Sequence, residues 1–166
     1  MRGCSERGLK MIHYSDVIRA VNGILKDLYP KIRRYGNDTI DKAVPPYFFA
    51  ECVSTASNHE SANMQRNSCT VYINYIQKTP DQADNLKKYS EIFDALRMTL
   101  NIQDPEHADV VRHLTYTNYS YSYTGENRND LQISFDLSWY ESTQETPDEK
   151  MQDVFLRTLL KEEENV

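Results

Sequence analysis

The nearest this sequence comes to a metal site is His107 with His113, and a six-residue step matches no common ligand spacing. His13 and His59 stand far from both, and there is no HExxH, so a surface or structural place is the expectation for all four histidines. Cys4, Cys52 and Cys69 include no CxxC pair, which points away from a disulfide framework or zinc site and toward reduced thiols. A catalytic thiol at Cys69, near Tyr72, would need a histidine to take its proton, and none is fixed nearby in sequence. A buried strand cysteine is the better account.

Asp81 with Asp84, and Glu91 with Asp94, could share acid/base work if burial drove their pKa values apart. Both pairs fall on the polar side of an expected helix, where a helix N-terminus and a solvated face account for them. Neither GxxxxGK[ST] nor GxGxxG occurs, and five glycines leave little material for a phosphate cradle. Tyr119, Tyr121 and Tyr123 could stack bases, but such platforms lie in basic grooves and only Arg128 is near. Core packing against a neighbouring strand is the first expectation for these tyrosines, and a subunit interface the second.

The elements that hold these residues can be read from periodicity. In "YSDVIRAVNGILKDLYP", Ile18, Val21, Leu25 and Leu28, widened by Val17 and Ile24, predict a helix over 16–29, capped by Ser15 and stopped by Pro30. "PPYFFAECVS" predicts a strand over 47–54, and "CTVYINYIQK" one over 69–78 whose two partly apolar faces place it inside a sheet. The polar stretch between them, "TASNHESANMQRNS", reads as a long loop and hence a binding candidate. "TPDQADNLKK" and "TPDEKMQDVF" each present a capping Thr, a Pro and a box residue, at Thr79, Pro80 and Gln82 and at Thr146, Pro147 and Glu149. They predict helices over 80–100, burying Leu86, Tyr89, Phe93, Leu96 and Leu100, and over 147–163, burying Met151, Val154, Phe155 and Leu159. "NYSYSYTGENRNDLQISFDLSWY" predicts a hairpin whose second arm buries Leu131, Ile133, Phe135, Leu137 and Trp139. The expected class is α+β: an antiparallel or mixed sheet of about four or more strands, packed by helices.

At 166 residues one domain is expected over 11–145, with an extended arm at 1–10 and a C-terminal helix and acidic tail at 146–166. The net charge of -6 argues against a general nucleic-acid binder. Nine of the 19 basic residues lie between Arg2 and Lys42, an asymmetry that suits head-to-tail contact between copies as well as a solvated face. No apolar run is long enough to span a bilayer, and "MRGCSERGLK" has no apolar core behind its charges, so neither anchor nor leader is expected.

Four blocks carry a resemblance: "YSDVIRAVNGILKDLYP", "YGNDTID" with "PPYFFAE", "YINYIQKTPDQADNLKKYSEI" and "NYSYSYTGENRNDLQISFDLSW". Together, over about residues 12–140, they resemble the tail terminator (tail-completion) family of tailed phages, in the form found in Gram-positive prophages and phage-tail-like particles. The resemblance implies a structural protein, not an enzyme, with no cofactor and no catalytic or metal-binding residue. It implies a homohexameric ring assembled in the bacterial host cytoplasm. The ring would cap the tail tube, stop its polymerisation and meet the head connector or collar, with the sheath as a further partner in contractile particles and DNA only passing through the lumen. Within it, the expected contact residues are Arg33 and Arg34 of the basic quarter, Asn58, His59, Glu60, Asn63, Gln65 and Arg66 of the polar loop, and Tyr119, Tyr121 and Tyr123. A head-tail connector or stopper is the alternative, and a small ligand-binding module or enzyme a more distant one.

Overall fold

In a computed structural model, residues 11–36, 38–104 and 109–142 are described. The expected arm at 1–10 and the expected helix at 147–163 lie outside them. Eight main elements follow in order: α1 (Tyr14–Leu28), β1 (Arg33–Tyr35), β2 (Tyr47–Ser61), β3 (Met64–Ile76), α2 (Gln82–Leu96), β4 (Thr99–Gln103), β5 (Val111–Thr124) and β6 (Asp130–Ser142). The strands make one mixed sheet in the order β1-β2-β3-β6-β5-β4, parallel only between β1 and β2. This is an α+β fold, as expected, and β3 is an interior strand.

The core lies between the helices and one face of the sheet. Every second residue of β3 and β6 faces it: Cys69, Val71, Ile73 and Tyr75 on one strand, and Leu131, Ile133, Phe135, Leu137 and Trp139 on the other. A period of two on a sheet with one covered face demands this alternation. Val17, Val21 and Leu25 of α1 complete the layer, with Ile18, Ile24 and Leu28 half-buried beside them. α1 starts two residues before the expected position. His13 is the capping residue and its backbone N–H donates to Asp16 Oδ2 at 3.0 Å, so the carboxylate three residues on does the work assigned to Ser15.

α2 departs from expectation at both ends. Asp81, not Thr79, caps it, its Oδ1 accepting from the N–H groups of Ala83 at 2.9 Å and Asp84 at 3.3 Å. The helix ends at Leu96, where Arg97 has φ 54 and turns the chain into β4, so Leu100 is buried on a strand. The buried face is Asn85, Lys88, Ile92 and Leu96, whereas Leu86 and Phe93 are exposed. Two stripes one residue apart compete on this helix. The more apolar one loses because Lys88 can bury its stem and still place its amine on Asp84.

The expected loop over 55–68 is not a loop. β2 and β3 run on as one hairpin to a two-residue turn at Ala62 and Asn63, with bulges near Ser54/Ala56 and His59/Ser61. β6 pairs along β3 as far as Ser142 opposite Met64, making the far end a three-stranded arm. Residues 58–64 are exposed on every side, so nothing there selects apolar alternation. Backbone pairing and side-chain bonds hold the arm instead, including Ser57 Oγ to Asn67 Oδ1 at 2.9 Å and Gln65 Nε2 to the same oxygen at 3.0 Å.

β5 carries one extra residue opposite β6 between Thr117 and Ser120, and Asn118 sits at φ 56 with its Nδ2 donating to Asp136 Oδ2 at 2.8 Å. Asn tolerates this left-handed conformation better than most side chains. The bulge shifts the phase of alternation. Leu114 and Tyr116 upstream of it therefore face the same side as Tyr119, Tyr121 and Tyr123 downstream.

Candidate functional site

The densest group of reactive side chains joins the end of α1 to α2 and β3. Lys88 Nζ lies 3.0 Å from Asp84 Oδ1, 4.7 Å above the Tyr29 ring and 5.6 Å from that of Tyr75. The Tyr75 hydroxyl donates to Asp84 Oδ2 at 3.0 Å and the Tyr29 hydroxyl to Glu91 Oε2 at 2.6 Å. Burial first, and then the Asp84 carboxylate, push the Tyr75 hydroxyl up to about 12; burial and Glu91 push Tyr29 up as well. Burial alone would raise Asp84, but hydrogen bonds from Lys88, Gln77 and Tyr75 outweigh it and hold the carboxyl below its usual range. An acid/base centre needs a group poised near neutral pH. These groups are held the other way, tyrosines protonated and carboxylate charged, which makes the cluster a polar clamp between helices. Among the described residues no group of three or more His, Cys, Asp and Glu side chains is placed to hold a metal ion.

The sheet edges are less complete than its centre. β4 pairs with β5 only over residues 111–115, which leaves the outer edge of 116–124 without a strand among the described residues. On the opposite side β1 pairs only with residues 47–49, leaving the outer edge of 50–61 likewise open. Aromatic rings border the β5 edge. Tyr89 of α2 packs on Tyr119 and Tyr121 at 4.9 Å each, and Phe93 on Tyr119 at 5.0 Å, while Phe93 and Tyr121 remain 45% and 43% exposed. Tyr119 donates to Tyr89 O and Tyr116 to Arg97 O, so the rings are tied to the helix while their outer sides stay bare.

At the end of this border is a cleft of about 370 Å³ lined by Pro80, Asp81, Gln82, Asn85, Tyr123, Arg128 and Asn129. Asn85 is only 2% exposed, and its Nδ2 donates to Asn129 O at 3.5 Å. Asn85 Oδ1 and the Tyr123 hydroxyl make no hydrogen bond. The sheet face away from the helices is a lattice of hydroxyls and amides: Thr70 to Asp136 at 2.6 Å, Gln132 to Asn74 at 2.9 Å, and Ser120 with Ser134 at 3.2 Å.

The expected contact residues fall into three separate places. Asn58 lies opposite Arg66 and His59 opposite Gln65 on the arm, with Glu60 beside them and Asn63 in its turn. Arg66 Nε also donates to Ser138 Oγ at 3.1 Å. Arg33 and Arg34 sit on β1 at the other end of β2, and the tyrosines across the sheet on β5. Phe93 and Asn85, which shape the β5 border and its cleft, are not in that set. The sequence held one signal for it, Asn118 interrupting the tyrosine alternation.

The described residues thus form a two-layer fold with two sheet edges that no described strand covers, an exposed polar arm and a tightly clamped polar cluster. The chain matches the family described as phage tail terminator protein over residues 16–150, and it belongs to that family. It is thus a structural protein of a phage tail. No curated protein matches it. One solved chain is similar over 81% of this chain and 98% of its own length, at 20% identity and a TM-score of 0.42, a likeness too loose to carry an argument. Among the described residues no helix is long and apolar enough to cross a membrane.

Proposed function

We propose that this chain is the subunit of a ring, hexameric by its family resemblance, that sits on the last ring of the tail tube. It stops tube polymerisation and offers its far side to a head connector or collar, and to the sheath where the particle is contractile. Assembly takes place in the host cytoplasm before the particle is complete. The observation that carries this reading is the β2–β3 arm in a chain of this family. It projects exposed polar side chains (Asn58, His59, Glu60, Asn63 and Arg66) on a paired backbone, a shape suited to reach a neighbouring ring without leaving buried polar groups unpaired.

The test is negative-stain microscopy of the purified chain, alone and with tube protein. Six-fold rings at tube ends are expected, and a monomer that ignores tubes overturns the reading. A shortened arm, with Ser57 joined to Asn67 through an Asn-Gly turn, keeps the cross-strand register and should still form rings while losing the tube end. Unchanged capping by that variant would remove the arm from the contact.

A further inference from the structure

We infer that copies of this chain join head to tail by edge pairing, the bare edge of β5 over residues 116–124 receiving the bare edge of β2 over residues 50–61 of the next copy. This deepens the ring reading above and rests on it.

The chemistry of an unpaired edge names its occupant. A row of outward N–H and C=O groups is matched by another extended backbone, and soluble proteins normally blunt such a row with charge, proline or a covering element. The β5 edge has none of these among the described residues: "YTNYSYSYT", residues 116–124, contains neither a charged residue nor a proline. It is bordered by the half-exposed rings of Phe93 and Tyr121, which offer a strand added there an apolar surface for its side chains. A second strand with the same need lies on the opposite side of the same sheet, where residues 50–61 are open and Val53 is exposed.

Two different edges on opposite sides of one subunit are what a heterologous, head-to-tail contact requires. The strand directions agree. Three antiparallel steps, β2 to β3, β3 to β6 and β6 to β5, set β2 and β5 in opposite directions within one chain. Rotating a copy about an axis near the strand direction preserves this, so β2 of the neighbour arrives antiparallel to β5 and the sheet continues from copy to copy. β4 and β1 limit the overlap, since each already occupies one end of its edge.

Proline tests this, because along a strand successive N–H groups point to opposite sides. Of Ser120→Pro and Tyr121→Pro, one removes an outward N–H and keeps the wild-type fold by circular dichroism; Cys52→Pro and Val53→Pro form the matching pair on β2. By sedimentation velocity the wild type should form oligomers beyond the dimer, and each folded single-edge variant should be monomeric. A mixture of the two folded variants should give one-to-one dimers and nothing larger, because each retains the edge the other lacks. Oligomers in either variant alone, a monomeric mixture, or a monomeric wild type overturns the proposal. So does slow amide exchange at 116–124 in a monomer that becomes fast on truncation after Ser142, which would show the edge covered within one chain. Rings that form by these edges but ignore tube ends would defeat the terminator reading alone, and tube-capping rings that survive both proline variants would defeat this one alone.

Discussion

Arg112 on β5 donates through Nη1 to both carboxylate oxygens of Glu141 on β6, each at 2.8 Å, and Glu141 Oε1 also accepts the backbone N–H of Ile12 at 2.9 Å. One nearly buried carboxylate thus ties the entry to α1 to the end of the sheet where the arm begins, and Arg112 Nη2 adds a bond to Tyr140 O at 3.1 Å. Removing one partner of such a pair leaves the other charge uncompensated, at a cost of about 3–5 kcal/mol for a buried pair. Glu141→Ala, which orphans both Arg112 and the Ile12 N–H, should lower the urea midpoint by more than Arg112→Ala, whose guanidinium is partly exposed. Equal midpoints for Glu141→Ala and the wild type would show that the carboxylate is not a tie.

Two glycines should respond in opposite directions to alanine. Gly125 begins the β5–β6 turn at φ +82, and a Cβ there would collide with the Asp130 carboxylate, so Gly125→Ala should cost on the order of 1–2 kcal/mol. Gly23 lies inside α1 with nothing within 4 Å of where a Cβ would stand, and Gly23→Ala should stabilise by about 0.5–1 kcal/mol. Thermal melts of the two variants, checked for an unchanged oligomeric state, read both signs.

Alkaline titration should expose the clamp. Tyr75 is pushed up to about 12, and Tyr29 and Tyr119 are pushed up by burial and nearby negative groups. In the unfolded chain these hydroxyls ionise at about pH 10, so above it the unfolded state binds fewer protons than the native state and stability falls as pH rises. Their contribution is complete below about pH 10 and is lost progressively toward and beyond pH 12. Tyrosinate absorbance of the folded protein should lag that of the urea-unfolded protein across this window, and Tyr75→Phe should reduce the lag. Superimposable titrations would contradict the clamp.

The two described thiols should differ in reactivity. A hydrogen bond from Cys69 lowers the half-buried Cys52 thiol, whereas that same bond, then burial, pushes Cys69 up. The thiolate is the nucleophile, so iodoacetamide under native conditions should label Cys52 well before Cys69 by peptide mapping. Prior labelling of Cys69 would reverse the assignment.

Some of this protein was legible before folding because one-dimensional periodicity records one-sided burial. β6 alternates from Leu131 to Trp139 and α1 repeats from Val17 to Leu25 because each has a single covered face. The failures have the converse cause. Residues 58–64 face solvent on both sides and the buried position beside them is the polar Asn67, so strands there leave no apolar signature, and the pairing of β2 with β3 along the arm is a tertiary fact. On α2 the stripe of Leu86 and Phe93 is the more apolar, but Tyr29 and Tyr75 arrive from other elements to receive Lys88, which stays paired with Asp84 one turn earlier on its own helix, and their geometry chose the face.

The expected contact residues divide in the same way. The tyrosine alternation announced a strand, while the bulge at Asn118, the shortness of β4 and the borders formed by Phe93 determined that its edge is aromatic and without a partner strand among the described residues. The sequence by itself determined α1, the body of α2, the strands at 47–54 and 69–76 and the β5–β6 hairpin, the buried faces of α1, β3 and β6, and the blocks that carry the family resemblance, because these depend on neighbours along the chain. Tertiary structure alone decided the strand order, the arm and the two edges left open among the described residues, because an edge is defined by which strand fails to arrive, and no local pattern encodes an absent neighbour.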